Sequence, residues 1–159
     1  MGSFDNIKKL IANAKEEYIR QYSNALADEG KKLIDKAFET ATFSKNKTQN
    51  LHDSYGSCVF FNGKEMQGTR RYVGKKAVQP RYRPTGEAVW GREEIDKFFD
   101  SYKAKKDGWE LVTAAAIFYA EELEKGIGLR RKYRVISGLG SSMDSLAQKT
   151  HGKVVNINM

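Results

Sequence analysis

One apolar stripe governs the first quarter of this chain. Phe4, Ile7, Leu10, Ile11, Ala14, Tyr18, Ile19, Tyr22, Ala25 and Leu26 recur at steps of three and four, and the phase continues through Leu33, Ile34, Ala37, Phe38 and Ala41. That spacing marks one face of an α-helix. Ser3 offers a capping hydroxyl, and Asp5 places negative charge in the first turn, where the helix dipole favours it. The pattern predicts a long helix over residues 1–43, weakened only at Gly30. Unbroken, such a helix runs roughly 55 Å, well beyond the ~30 Å breadth of a small domain. Either Gly30 splits it in two, or part of the stripe lies outside the domain's own core. The second is the expectation, because the ends of over-long stripes commonly meet a neighbouring subunit.

Beyond the stripe, residues 44–50 are polar and read as a loop. Strand character begins at Leu51, and Asn62-Gly63 is a two-residue hairpin signal between apolar runs. A return strand is predicted over residues 65–73. Residues 74–91 hold both prolines, Pro80 and Pro84, and read as one long exposed loop. A short helix is expected over 92–103 with Ile95, Phe98, Phe99 and Tyr102 inward, then a strand over 109–118 and a helical turn over 119–126. A strand over 131–136 and a helix from Ser141 or Ser142 to His151 complete the reading. The tail, KVVNINM, has strand-like composition without an evident partner. The fold class is therefore α+β: a long N-terminal amphipathic helix on a small antiparallel sheet, with short additional helices and a long basic loop. With 159 residues, a single domain is the simplest organisation. Its parts are the helix (1–43), a sheet-containing core (48–137) with a basic insertion (64–92), and a C-terminal helix and tail (138–159).

Composition narrows the function. Apolar residues at 40% and charged residues at 30% give a folded profile. The longest apolar run, residues 112–120, is too short for a bilayer, so no membrane partner is expected. The N-terminus lacks the basic-then-apolar layout of a signal peptide, and Asn6 stands where a myristoylation signal has Ser or Thr. The expected place of synthesis is the cytoplasm. One cysteine and two distant histidines form neither a disulfide nor a conventional zinc site, so no cofactor or metal is expected. The net charge of +8 is concentrated: residues 64–92 hold eight Lys/Arg against two Asp/Glu.

Four constellations invite chemistry. His52, Asp53 and Ser54 precede Cys58, but on a strand consecutive residues face opposite ways and His52 lies roughly 20 Å from Cys58, so no nucleophile–base pair closes. Cys58 is then a small buried apolar residue. Glu121, Glu122 and Glu124 read as a solvated face, and Gly138 and Gly140 lack the Lys that a phosphate-binding loop carries. The fourth is the basic segment, where Arg70, Arg71, Lys75, Lys76, Arg81 and Arg83 interleave with Tyr72, Tyr82 and Trp90. That mixture suits phosphates and base surfaces, and it equally suits docking on an acidic protein. The candidate partner- or DNA-facing residues are Arg70, Arg71, Lys75, Lys76, Arg81, Tyr82, Arg83 and Trp90. No catalytic residue is expected.

The order of elements carries a resemblance. A long helix leads through Thr48, Asn50, Leu51 and Ser54 into V-F-F-N-G-K, and an apolar strand leads into Tyr119, Ala120, Leu123, Glu124 and Gly126. Over roughly residues 30–137 this resembles bacteriophage tail-completion or neck (head–tail joining) proteins of the Bacteroidetes-phage type. Asn50 replaces that family's usual glycine, and the insertion at 64–92 is longer and more basic than typical. The resemblance implies a non-enzymatic virion protein, made in the host bacterial cytoplasm. It would form a homo-oligomeric ring, twelve-fold or six-fold, that connects portal to tail around the DNA channel. Its implied partners are further copies of itself, the portal and other neck or tail proteins, with non-specific contact to packaged DNA. The alternative reading is a small sequence-non-specific DNA-binding protein using the basic loop.

Overall fold

The computed structural model describes residues 2–40, 49–74, 76–120, 125 and 153–158. A single helix, α1 (Ser3–Thr40), runs through Gly30 without a break. A side chain at Gly30 would meet Ser57 Oγ at 2.6 Å and Leu111 Cδ1 at 2.8 Å. The glycine that weakens the helix in the sequence is therefore the point where its backbone comes closest to the sheet. The fold is α+β, as the periodicities predict.

The central strands are β1 (Tyr55–Phe61) and β6 (Trp109–Ala115), paired antiparallel from Tyr55↔Ala115 to Phe61↔Trp109. Between them in the chain lie β2 (Lys64–Glu65), β3 (Arg71–Tyr72), β4 (Arg81–Tyr82), β5 (Ala88–Val89) and α3 (Gly91–Ser101). A short helical turn, α2 (Asn50–Asp53), precedes β1. Both β2 and β3 pair antiparallel with β1, while β4 and β5 form a separate two-stranded hairpin. The last strand, β7 (Lys153–Asn158), gives the tail its partner: it lies parallel to β6, so the sheet is mixed, with all other pairings antiparallel.

Layering follows from the two faces of β1, which is buried on both sides. Tyr55 and Val59 join Leu26, Ala27, Leu33, Ala37 and Leu111 beneath α1. Cys58 and Phe60 join Ile95, Phe99, Val112 and Ala114 beneath α3. Gly56 leaves room for α3, since a Cβ there would lie 2.6 Å from Ile95. Along the other layer, Trp109 Nε1 donates to Ser23 Oγ at 3.1 Å, and the Phe38 ring meets His52 and Tyr55 edge-on. The helix thus runs alongside β6, from the Trp109 end of the sheet to the Tyr55 end.

Several boundaries differ from the sequence reading. Residues 51–54 are not strand. Gln49 takes a left-handed conformation (φ 61°) and starts α2, and Ser54 Oγ donates back to the Leu51 carbonyl at 2.8 Å. Local hydrogen bonding by a short polar side chain competes here with extended structure. The return strand over 65–73 is split because the Thr69 side chain replaces backbone pairing: its Oγ1 accepts from Val59 N at 3.2 Å and donates to the Met66 carbonyl at 2.6 Å. The hairpin at Asn62-Gly63 forms as predicted, both residues at positive φ (50° and 84°), the requirement of the tight turn that matches strand twist.

Residues 74–91 are not one structureless loop, since β4 and β5 fold back around the turn at Pro84, where Arg83 N donates to the Glu87 carbonyl at 2.8 Å. Residues 64–73 contribute β2 and β3 to the sheet. The helix predicted over 92–103 is α3, which starts one residue earlier and ends two residues earlier, and the strand predicted to 118 ends at Ala115. Ala120 and Lys125 are helical, whereas most of the predicted 119–126 turn, the strand over 131–136, the helix to His151, Gly138, Gly140 and the loop over 44–48 lie outside the described residues.

Candidate interaction surfaces

The basic segment folds onto acids supplied from elsewhere in the chain. Arg70 lies 2.7 Å from Glu65 and 3.0 Å from Asp96, and it also pairs with Asp100. Burial works against the charged Arg70 guanidinium, and the Asp100, Glu65 and Asp96 carboxylates outweigh it, so its pKa is raised. Arg71 reaches Asp28 on α1 at 3.3 Å, and Arg83 reaches Glu87 at 3.2 Å and Glu94 at 3.1 Å. Arg92 pairs with Asp53 at 3.3 Å and stacks 3.5 Å above the Tyr72 ring. Tyr72 in turn donates to Asp96, and burial followed by that carboxylate pushes its phenol up to about 12. Most arginines of the segment are therefore fasteners between the sheet, α1 and the acidic helix α3, and the local charge surplus has a structural cause.

The expected docking residues separate accordingly. Arg70 directly precedes β3 and Arg71 lies in it, both half-buried and paired. Lys76, Arg81 and Tyr82 are exposed on the arm formed by β4, β5 and the chain leading into them, with Arg81 above the Tyr119 ring and Arg83 above Phe118. Trp90 is half-buried where α3 begins. Lys75 lies outside the described residues. An open groove of about 330 Å³ is lined by Gln79, Pro80, Arg81 and Tyr82.

The polar stretch around His52 anchors this arm. The Asn50 amide donates to the Gln79 carbonyl at 2.6 Å, and its oxygen accepts from Gly91 N at 2.9 Å. Asp53 Oδ2 accepts from Ala77 N at 3.2 Å while its other oxygen faces Arg92. His52 is buried against Phe38. Cys58 is fully buried, and burial together with Glu65 pushes its thiol up to about 12, so it stays protonated at neutral pH. Among the described residues no group of three or more His, Cys, Asp or Glu side chains could hold a metal ion, and no helix is long and apolar enough to cross a membrane.

The second surface is the N-terminal part of the apolar stripe. Phe4, Ile7, Leu10, Ile11 and Tyr18 are exposed, Phe4 at 70% and Leu10 at 68%. Between this bare end and the core, Tyr18 stacks on Tyr22, and Tyr22 meets Trp109 at 4.6 Å between ring centroids, with Phe61 on Trp109 at 4.4 Å. The aromatic corner secures α1 where it leaves the sheet. Among the described residues the only other large exposed hydrophobics are Val78 and Tyr82, both on the arm. Comparison with protein-family models, curated proteins and solved structures finds no match.

Proposed function

We propose that this chain is a non-enzymatic assembly protein that joins neighbouring subunits through the free end of α1. The observation that carries this reading is the apolar stripe of residues 4–18, which keeps helical order while leaving five large hydrophobic side chains in water. Exposed apolar patches of this kind mark interaction sites. The sequence resemblance to phage neck and tail-completion proteins makes the junction of portal and tail, around the DNA channel, the place where such a subunit would act. A ring needs two unlike surfaces on each copy, and the bare helix end and the arm are candidates for them. The alternative of a DNA-binding protein that uses the basic segment loses support from the pairing of Arg70, Arg71, Arg83 and Arg92, four of the five arginines of residues 64–92, with carboxylates.

Mass measurement across a concentration series, with imaging of the particles, tests the proposal. Annular or larger species are expected from the native chain, and monomers from Ile11→Glu. A native chain that remains monomeric at high concentration, yet binds duplex DNA with an affinity that collapses between low and moderate salt, overturns it. Point substitutions are the cleaner probes, because deleting residues 74–90 would strip Asn50 of the Gln79 carbonyl and Asp53 of the Ala77 N–H.

A further inference from the structure

We infer, granting the assembly role proposed above, that the free end of α1 pairs with the same segment of a second copy as a short parallel coiled coil, tips together. Ser23 of α1 is bonded to Trp109 at one end of the sheet, so residues 3–18 extend beyond that end for ~24 Å. Within them Phe4, Ile7, Ile11, Ala14 and Tyr18 follow at steps of three, four, three and four. That alternation is the a and d seam of a heptad, the spacing by which one helix packs along another. Continued every seven residues, the seam passes through Gln21, Ala25, Asp28 and Lys32, all exposed, whereas Ser23, Leu26, Ala27 and Gly30 are buried. A second helix can therefore lie along the seam without displacing the side chains that hold α1 to the sheet. The seam is short for a free-standing coiled coil. Here residues 22–38 already hold the helix wound against the sheet, which meets the cost of nucleation.

Area points to a second copy as the occupant. Phe4, Ile7, Leu10, Ile11 and Tyr18 are each more than half open. From the ~150–250 Å² that a large aromatic side chain can bury, they offer on the order of 500 Å² of apolar surface. Two such ends together bring about 1,000 Å², the size that a specific interface should clear. The other large exposed hydrophobics among the described residues, Val78 and Tyr82, make a smaller patch.

Charge sets the direction. Lys8 and Lys15 flank the seam on one side, and Ser3, Leu10 and Glu17 on the other, while Asp5, Lys9, Glu16 and Arg20 occupy positions away from it. A parallel pair brings unlike flanks together: Ser3 meets Lys8, Leu10 meets Lys15, and Glu17 meets Tyr22, so no like charges face one another. An antiparallel pair brings like flanks together. The two registers that stack most of the apolar layers then set Lys8 against Lys8 or against Lys15 of the neighbour. Parallel pairing relates the copies by rotation about an axis along the helices, with the sheets gathered at one end and the Phe4 tips at the other.

Disulfide cross-linking of full-length variants tests the pairing, with the buried Cys58 silent. Gly2→Cys marks the tip without touching the stripe, since Gly2 is exposed and a Cβ there comes no closer than 3.9 Å to another atom. Gln21→Cys and Val78→Cys, both at exposed positions, mark the sheet end of the seam and the arm. Gly2→Cys is expected to link to itself at least tenfold more than to either of the others. In a parallel pair residues 2 and 21 lie ~28 Å apart along the axis, whereas antiparallel pairing brings them together. If the native chain assembles while Gly2→Cys links mainly to Gln21→Cys, mainly to Val78→Cys, or to none of the three, the parallel pairing falls and the assembly function stands. Ile11→Glu in the Gly2→Cys chain is expected to abolish the self-link, and a link that survives it overturns the seam. A native chain that is monomeric at every concentration removes both proposals.

Discussion

Residues 22–38 of α1 lay their apolar side chains against the sheet, and residues 3–18 carry the same spacing into water. The two halves share one phase and one backbone geometry, yet Leu26 and Ile34 are buried while Leu10 and Ile11 are bare. Periodicity therefore says which side of a helix is apolar and nothing about what covers it. The buried half is held by sheet contacts. The exposed half has no such cover, and a helix in water gains little from its own apolar side chains.

Substitution breaks the comparison most sharply in the buried half. Leu26→Ala is expected to cost about 3 kcal/mol through lost burial and a residual cavity, read as a lower denaturant midpoint. Gly30→Val comes next at about 2 kcal/mol. Its branches cannot fit against Ser57 and Leu111, and the gain in helix propensity only partly offsets the strain. Arg70→Ala should cost about 1 kcal/mol, because it leaves Glu65, Asp96 and Asp100 facing one another without their shared cation. Ile11→Ala should change stability by less than about 0.5 kcal/mol, and a loss as large as that of Leu26→Ala would show that the free half is covered within its own chain.

The smallest effect near neutral pH comes from titration on the α3 side. Burial and a neighbouring carboxylate push both Tyr72 and Tyr102 up to about 12 from an ordinary 10. Between those values the unfolded chain gives up protons that the folded chain keeps, so stability falls as pH rises through that window and is unaffected below it. Absorbance titration of the phenolates, native against Tyr72→Phe, checks this.

The sequence pattern revealed the stripe, the Asn62-Gly63 turn and the inward face of α3 because each depends on local spacing. It misplaced residues 51–54 because the left-handed Gln49 and the back-bonded Ser54 override strand propensity. It also could not foresee that Thr69 would stand in for a strand residue beside Val59, or that KVVNIN would pair with β6, since both are contacts between distant segments. At the candidate surfaces, the aromatic and basic character of the arm was visible. The neutralisation of the basic segment's arginines was not, because only Glu65 and Glu87 lie within residues 64–92, while Asp28, Asp53, Glu94, Asp96 and Asp100 lie outside them.

The unbroken passage of α1 over Gly30 makes the helix a lever with its fulcrum on Ser57 and Leu111. Phe4 lies 26 residues from that fulcrum, or ~39 Å along the axis, so each degree of tilt there moves the tip by about 0.7 Å. A bulkier residue at the fulcrum would therefore redirect whatever the tip holds, long before it unfolded the chain. The curvature of any assembly built on that tip is set where helix and sheet come closest.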